Sequence, residues 1–215
     1  MASKRYAAAG SEAEFQPGSR GRVLRNFLGI DRVGEMEEAE SRALRVTQAE
    51  ALKTYGPGRR LTVADIRRVH RMWLGEIYPW AGNYRTVNPG RGEPRFAHAP
   101  LIPKLMDVFG KEVLRRHTPC GAAADMSVAR SLAEVHAQLI LIHPFPDGNR
   151  RLARLVAVLM ASQAGINPLR LRFLAGSGKR TYGQAIHAAM SRDYAPLESL
   201  FSAAIDGPWR AASFG

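Results

Sequence analysis

The chain has 215 residues and a mass of 23.6 kDa, enough for one domain with a sizeable core and too little for two. Hydrophobic residues make up 46% and charged residues 23%, which excludes wholesale disorder. A single cysteine, Cys120, excludes an intrachain disulfide framework and a multi-cysteine metal site. The longest uncharged apolar stretch of the C-terminal half, residues 155–161, falls far short of the roughly 18 residues that span a membrane. The start of the chain lacks the apolar core of a secretory signal, so the expected location is cytoplasmic. Lysine and arginine number 31 against 19 acidic residues, a net charge of +12 carried mostly by arginine. Such a balance attracts nucleic acid, nucleotides or an acidic protein, or simply solvates a basic surface.

Residues 1–21 are small, polar and broken by Gly and Pro, and read as a mobile basic N-terminal arm. Val23 and Leu24 open the ordered part. Residues 35–52 carry Met36, Ala39, Ala43, Leu44, Val46 and Leu52 at roughly helical spacing, and residues 54–60 form a turn-rich connector. Thr62 is a predicted N-cap with Asp65 in capping-box position, opening a helix that runs to about residue 77. From Pro79 to Pro103 the pattern changes. Gly82, Asn88, Pro89, Gly90, Gly92 and Pro94 break any helix, and residues 84–87 and 95–97 read as the arms of a β-hairpin flap over about 82–98. Helical periodicity returns over 101–114 and 126–142, the latter with Leu132, Val135, Leu139 and Ile142 on one face. After the break HPFPDGN a helix spans 150–163 and closes at Gly165. Further helices are expected over 182–190 and 196–205, with a short tail at 207–215. The predicted fold is all-α, one helical domain over 22–206 with a small hairpin flap.

The break between the two most apolar helices holds the densest chemistry. Pro144 disfavours the helical conformation at His143 and so ends one helix, while Gly148 permits the turn that starts the next. Backbone N–H groups of Gly148, Asn149 and Arg150 would then point out of a helix N-terminus, where phosphate binds. Arg151 and Arg154, three residues apart, are expected to share a helix face and hold further phosphate oxygens. Asp147 offers a hard oxygen for magnesium, and His143 is the nearby group able to take a proton near neutral pH. Base, magnesium carboxylate, anion cradle and arginine pair within twelve residues (143–154) fit phosphoryl or nucleotidyl transfer.

The stretch HPFPDGNRRLAR resembles the signature of the Fic/Doc family, His-x-Phe-x-Asp/Glu-Gly-Asn-Gly-Arg-x-x-Arg, matching at His143, Phe145, Asp147, Gly148, Asn149, Arg151 and Arg154. VLRNFLGID at 23–31 resembles the family's N-terminal segment, YPWAGNYRTVN at 78–88 with Phe96 and Ala97 its flap region, and Arg180-Thr181-Tyr182 its nucleotide-side helix. The likeness covers roughly residues 22–205. It implies a helical Fic fold with a flap, and transfer of AMP from ATP to a hydroxyl of a target protein, with Mg2+ as the metal. By the match His143 is the base and Asp147 the magnesium ligand. Gly148 and Asn149 form the anion hole, Arg151 and Arg154 bind the outer phosphates, and Arg150 and Tyr182 lie on the nucleotide. Phe145 is a core anchor, and the flap aligns the target backbone as an added strand. Arg150 stands where the family has a second glycine. The Doc branch also carries a cation there and transfers phosphate, so a Doc-like kinase and an impaired nucleotide-binding protein are the alternatives.

Family relatives that act as toxins modify topoisomerases or an elongation factor, which makes a topoisomerase or translation factor the implied target. The family's inhibitory helix carries Ser or Thr followed four residues later by Glu, a spacing absent from this sequence. The implied partner is therefore a small acidic antitoxin that supplies the helix, with no membrane and no direct nucleic-acid contact. Residues 176–181 (GSGKRT) fail the spacing of a phosphate loop and read as a flexible loop, and His136 reads as a satisfied core residue.

Overall fold

The computed structural model describes residues 12–88, 96–122, 126–171 and 178–206, and these residues form a helical fold. Its axis is a hairpin of two helices, α5 (Val128–Ile142) and α6 (Asn149–Gln163). Ala133 and Ala137 on α5 and Ala153, Ala157 and Ala161 on α6 are all buried, and side chains this small let the two helices approach closely. The Ser127 hydroxyl accepts from the Arg130 N–H and caps α5. Gly165, at φ +78°, follows the end of α6 while the Ile166 N–H donates back to the Ala161 carbonyl. Helix α8 (Ala195–Asp206) packs on α5 and on α7 (Gly178–Ala189).

A second pair, α1 (Val33–Thr54) and α2 (Val63–Leu74), covers the other side of α6. The Thr62–Asp65 capping box is present in both directions, with Asp65 N–H on the Thr62 hydroxyl and Thr62 N–H on the Asp65 carboxylate. The helix predicted over 101–114 is composite: α3 (Ile102–Val108), a wider π-type turn at Phe109–Leu114 and a last turn, α4 (Arg115–His117). A Cβ on Gly110 in that turn would meet Val63 at 2.8 Å, so glycine lets the segment lie against the start of α2.

Two sequence readings change. Residues 12–21, expected as the second half of a mobile arm, are fixed on the body. Phe15 and Leu24 form an antiparallel bridge, and the buried Glu12 carboxylate accepts from the Thr86 and Val87 N–H groups at 2.7 and 2.9 Å. A period-based reading misses this because the anchor is one polar side chain. Residues 178–181, expected in a loop, are the first turn of α7. Among the described residues the flap arms, 84–88 and 96–98, carry no strand pairing. The centre of the flap, the arm before residue 12 and the tail at 207–215 lie outside the described residues.

Candidate active site

The turn between α5 and α6 is built from its own sequence. His143 closes α5 in the left-handed region (φ 51°, ψ 59°), with the proline that follows barring a helical alternative. The Asn149 amide then spans the turn, its oxygen accepting from the Phe145 N–H at 2.9 Å and its NH2 donating to the Phe145 carbonyl at 2.8 Å. Phe145 is wholly buried and stacks on His70 with ring centroids 3.9 Å apart. His70 Nδ1 accepts from the Gly82 N–H, so Nε2 carries the hydrogen and donates to the Asp147 carbonyl at 3.1 Å. Burial lowers the His70 pKa to about 4, which keeps this bridge neutral.

Helix α6 starts at Gly148 without a side-chain cap, so its first N–H groups are left for a ligand or for water. His143 stacks on Phe96 at 3.8 Å. Burial first, then the Arg85 charge and, more weakly, that of Arg150 hold its pKa near 4 against the pull of the Ile140 carbonyl. The imidazole is neutral at pH 7, the state a base requires. Phe96 also walls a cavity of about 500 Å3 that is lined by Arg150, Arg154, Lys179, Tyr182, Gly183, Ile186 and His187. Burial disfavours the charge of Arg154, and Arg151 and Arg150 add to this while Tyr182 opposes it. An anion in the cavity would relieve that cost. The Tyr182 hydroxyl donates to His136 Nε2 at 2.7 Å, and the other nitrogen of His136 faces the Ala153 carbonyl at 3.2 Å. His136 is thus a satisfied core residue that also orients Tyr182.

The predicted site divides in two. His143, Arg150, Arg154 and Tyr182 border one cavity or its wall, while Asp147 and Arg151 line another of similar volume with Glu40, Tyr78 and Arg22. Arg154 lines the first of these cavities and Arg151 the second. The buried Glu40 carboxylate draws Arg151 to it, and the guanidinium lies 4.7 Å over the Trp73 ring and 3.8 Å from Asp147. Asn149, expected in an anion hole, contributes its backbone N–H while its side chain clamps the turn. One Asp147 oxygen accepts from the Gly148 N–H and the side chain is 46% exposed. Among the described residues no group of three or more His, Cys, Asp or Glu can hold a metal. A lone accessible carboxylate fits magnesium, which completes its shell with phosphate and water oxygens.

Sequence reasoning missed His70, Glu40 and Arg85. His70 follows Ile66 and Val69 on the buried stripe of α2, and Glu40 follows Met36 by one turn on α1, a signal of a polar group turned inward. Nothing in the local sequence marks Arg85.

A helical hairpin whose turn carries a neutral histidine and opens an uncapped helix beside a cationic cavity defines a phosphate-handling helical domain. Residues 60–161 match the profile of the Fic/DOC family, and the chain carries a Fic/DOC family domain. It is 28% identical over 143 residues to a probable protein adenylyltransferase, y4lH, of Sinorhizobium fredii, covering 66% of this chain and 72% of that protein. It is 28% identical over 185 residues to the probable protein adenylyltransferase Fic of Salmonella typhimurium, covering 85% and 88%. Among solved structures, the N-terminal Fic domain of a Bartonella effector protein (Bep) from Bartonella sp. AR 15-3 superposes with a TM-score of 0.68 at 21% identity, over 89% of each chain. The BepC protein of Bartonella tribocorum, solved with bound AMPPNP, superposes at 0.65 and 21%, over 84% and 91%. These likenesses show the helical Fic fold.

Proposed function

We propose that the chain transfers AMP from ATP to a hydroxyl side chain of a target protein. The observation that carries this reading is the neutral His143, stacked on Phe96 at the wall of the Arg150–Arg154–Tyr182 cavity, beside the uncapped start of α6. Relatives named protein adenylyltransferases, alike over most of this chain, support it. His143 takes the proton of the target hydroxyl as its oxygen bonds to the α-phosphorus, and pyrophosphate leaves. The N–H groups at the start of α6 receive the phosphate oxygens, Arg154 and Arg150 neutralise them, and Tyr182 with Ile186 borders the nucleoside. Asp147 would hold a magnesium ion, whose charge favours pyrophosphate departure. The flap arms at 84–88 and 96–98 would receive the target backbone. The reaction belongs to the cytoplasm, where ATP is abundant.

A second reading, transfer of the γ-phosphate, is favoured by one observation: Arg150, which stands at the family's second glycine, lines the same cavity as Arg154 and would bring its cation to the phosphates. ATP labelled separately at the α- and γ-phosphates, incubated in host lysate, decides between them. Label from the α-phosphate on protein supports AMP transfer, label from the γ-phosphate overturns it in favour of the kinase, and neither leaves a binding protein without turnover. His143→Ala should abolish labelling while ATP binding survives. For control, we propose a small acidic antitoxin drawn by the net charge of +12. Expression of the chain alone should then arrest growth and His143→Ala should relieve the arrest. Harmless expression of active, soluble protein in its own host, without a partner gene, would overturn the toxin reading.

A further inference from the structure

We infer that Arg85 is a positioning residue that ties the flap to the active-site turn, so that the base and the surface receiving the target are held as one unit. The inference rests on the transferase reading for its purpose, and on geometry for its substance. Arg85 is 2% exposed, an unusual depth for a guanidinium. Its Nε donates to the His143 carbonyl at 2.6 Å, Nη1 to the Val87 carbonyl at 2.9 Å and Nη2 to the Ala97 carbonyl. One side chain thus holds the histidine backbone, the arm that leads into the flap and the arm that leaves it.

The main chain repeats the connection. The Arg85 N–H donates to the Pro144 carbonyl at 2.8 Å, and the Ala97 N–H to the Leu141 carbonyl at 3.2 Å. The Asn88 amide oxygen accepts from the Ala99 N–H at 2.9 Å and closes the base of the flap. Three carbonyls in three directions call for the planar fork of arginine, and a lysine ammonium on a flexible stem cannot reach all of them. The left-handed backbone at His143 is disfavoured unless its neighbours hold it, and the Arg85 bond grips the carbonyl that this conformation presents. The same guanidinium puts a positive charge beside the ring. Among the described residues it acts on His143 with Arg150, and the ring also meets Phe96 and the Ile140 carbonyl.

The test uses the full chain with Arg85→Lys and Arg85→Gln. The readouts are amide hydrogen exchange at Ala97 and Ala99, whose N–H groups close the base of the flap, the NMR titration of His143, and labelling kinetics with ATP and target protein. Lysine keeps the charge and loses the fork. Exchange at both amides should rise about tenfold and KM for the target should rise by a similar factor, with ATP affinity and the His143 titration held. Glutamine should show the same exchange and also move the His143 titration, and the acid limb of the pH–rate profile, upward toward the ordinary histidine value. Unchanged exchange at Ala97 and Ala99 in the lysine variant overturns the inference, as does an equal loss of ATP and target affinity. If the unsubstituted chain transfers no label, the transferase reading fails, while exchange and titration still decide the role of Arg85.

Discussion

Gly148 carries more constraint than any other position of the turn. Its φ is +81°, and a Cβ there would meet the Trp73 ring at 2.8 Å. Gly148→Ala combines a left-handed non-glycine with overpacking against a buried indole, so it should cost about 2–4 kcal/mol in urea unfolding. Asn149→Ala should cost about 1–3 kcal/mol, because it strands the buried N–H and C=O of Phe145. The Asn149 side chain, read as part of an anion hole, clamps Phe145 four residues away, while the turn that Gly148 permits was legible in the sequence because it is local. Arg85, His70 and Glu40 were not. Their partners lie 58, 77 and 111 residues away, at distances where only the tertiary fold decides who meets whom.

Among the elements, α1 shows how a helix can shape a site without bordering the Arg150–Arg154 cavity. Its Glu40 carboxylate, 5% exposed, accepts from the Tyr78 hydroxyl at 2.7 Å and pairs with Arg151, while the Trp73 indole N–H donates to the Glu40 carbonyl at 2.9 Å. Burial, with the nearby Glu40 charge, drives the Tyr78 pKa far up, so the hydroxyl stays protonated as a donor. Glu40→Ala would leave the half-buried Arg151 charge with the Asp147 carboxylate alone, at 3.8 Å, and should cost about 1–3 kcal/mol. Glu40→Ala combined with Arg151→Met should cost less than the sum of the two, a coupling measurable in a double-mutant cycle. The helix boundaries themselves were readable from period and caps to within a few residues, apart from α7. Period says nothing of which polar residue on the buried stripe reaches which neighbour, and this is why the Glu40 partner of Arg151 was not foreseen.

At the scale of the whole molecule, acid is the expected weakness. His70, His136 and His143 are held near pKa 4 in the folded chain, each with burial as the leading cause. Unfolded, each returns to an ordinary value of about 6.5 and binds a proton that the folded chain refuses. Their contribution is therefore fully present above about pH 6.5 and is lost as the pH falls toward 4. For the fully buried His70 and His136 the loss reaches about 1.4 kcal/mol per pH unit each. Urea midpoints measured from pH 7.5 to 5 should fall steeply, and a flat profile would mean that these rings are not held neutral. The all-α architecture was visible in the sequence, because hydrophobic period is a property of the whole chain. The pairing of Glu40 with Arg151 was not, and it bears on how the molecule is made. Synthesis produces Glu12 and Glu40 long before Thr86, Val87 and Arg151, so the early segments wait unpaired on the ribosome until the later ones emerge. Tyr182 comes later still, and α8 covers α5 only after that. A chain interrupted before α7 and α8 therefore lacks one wall of the Arg150–Arg154 cavity and the cover of α5.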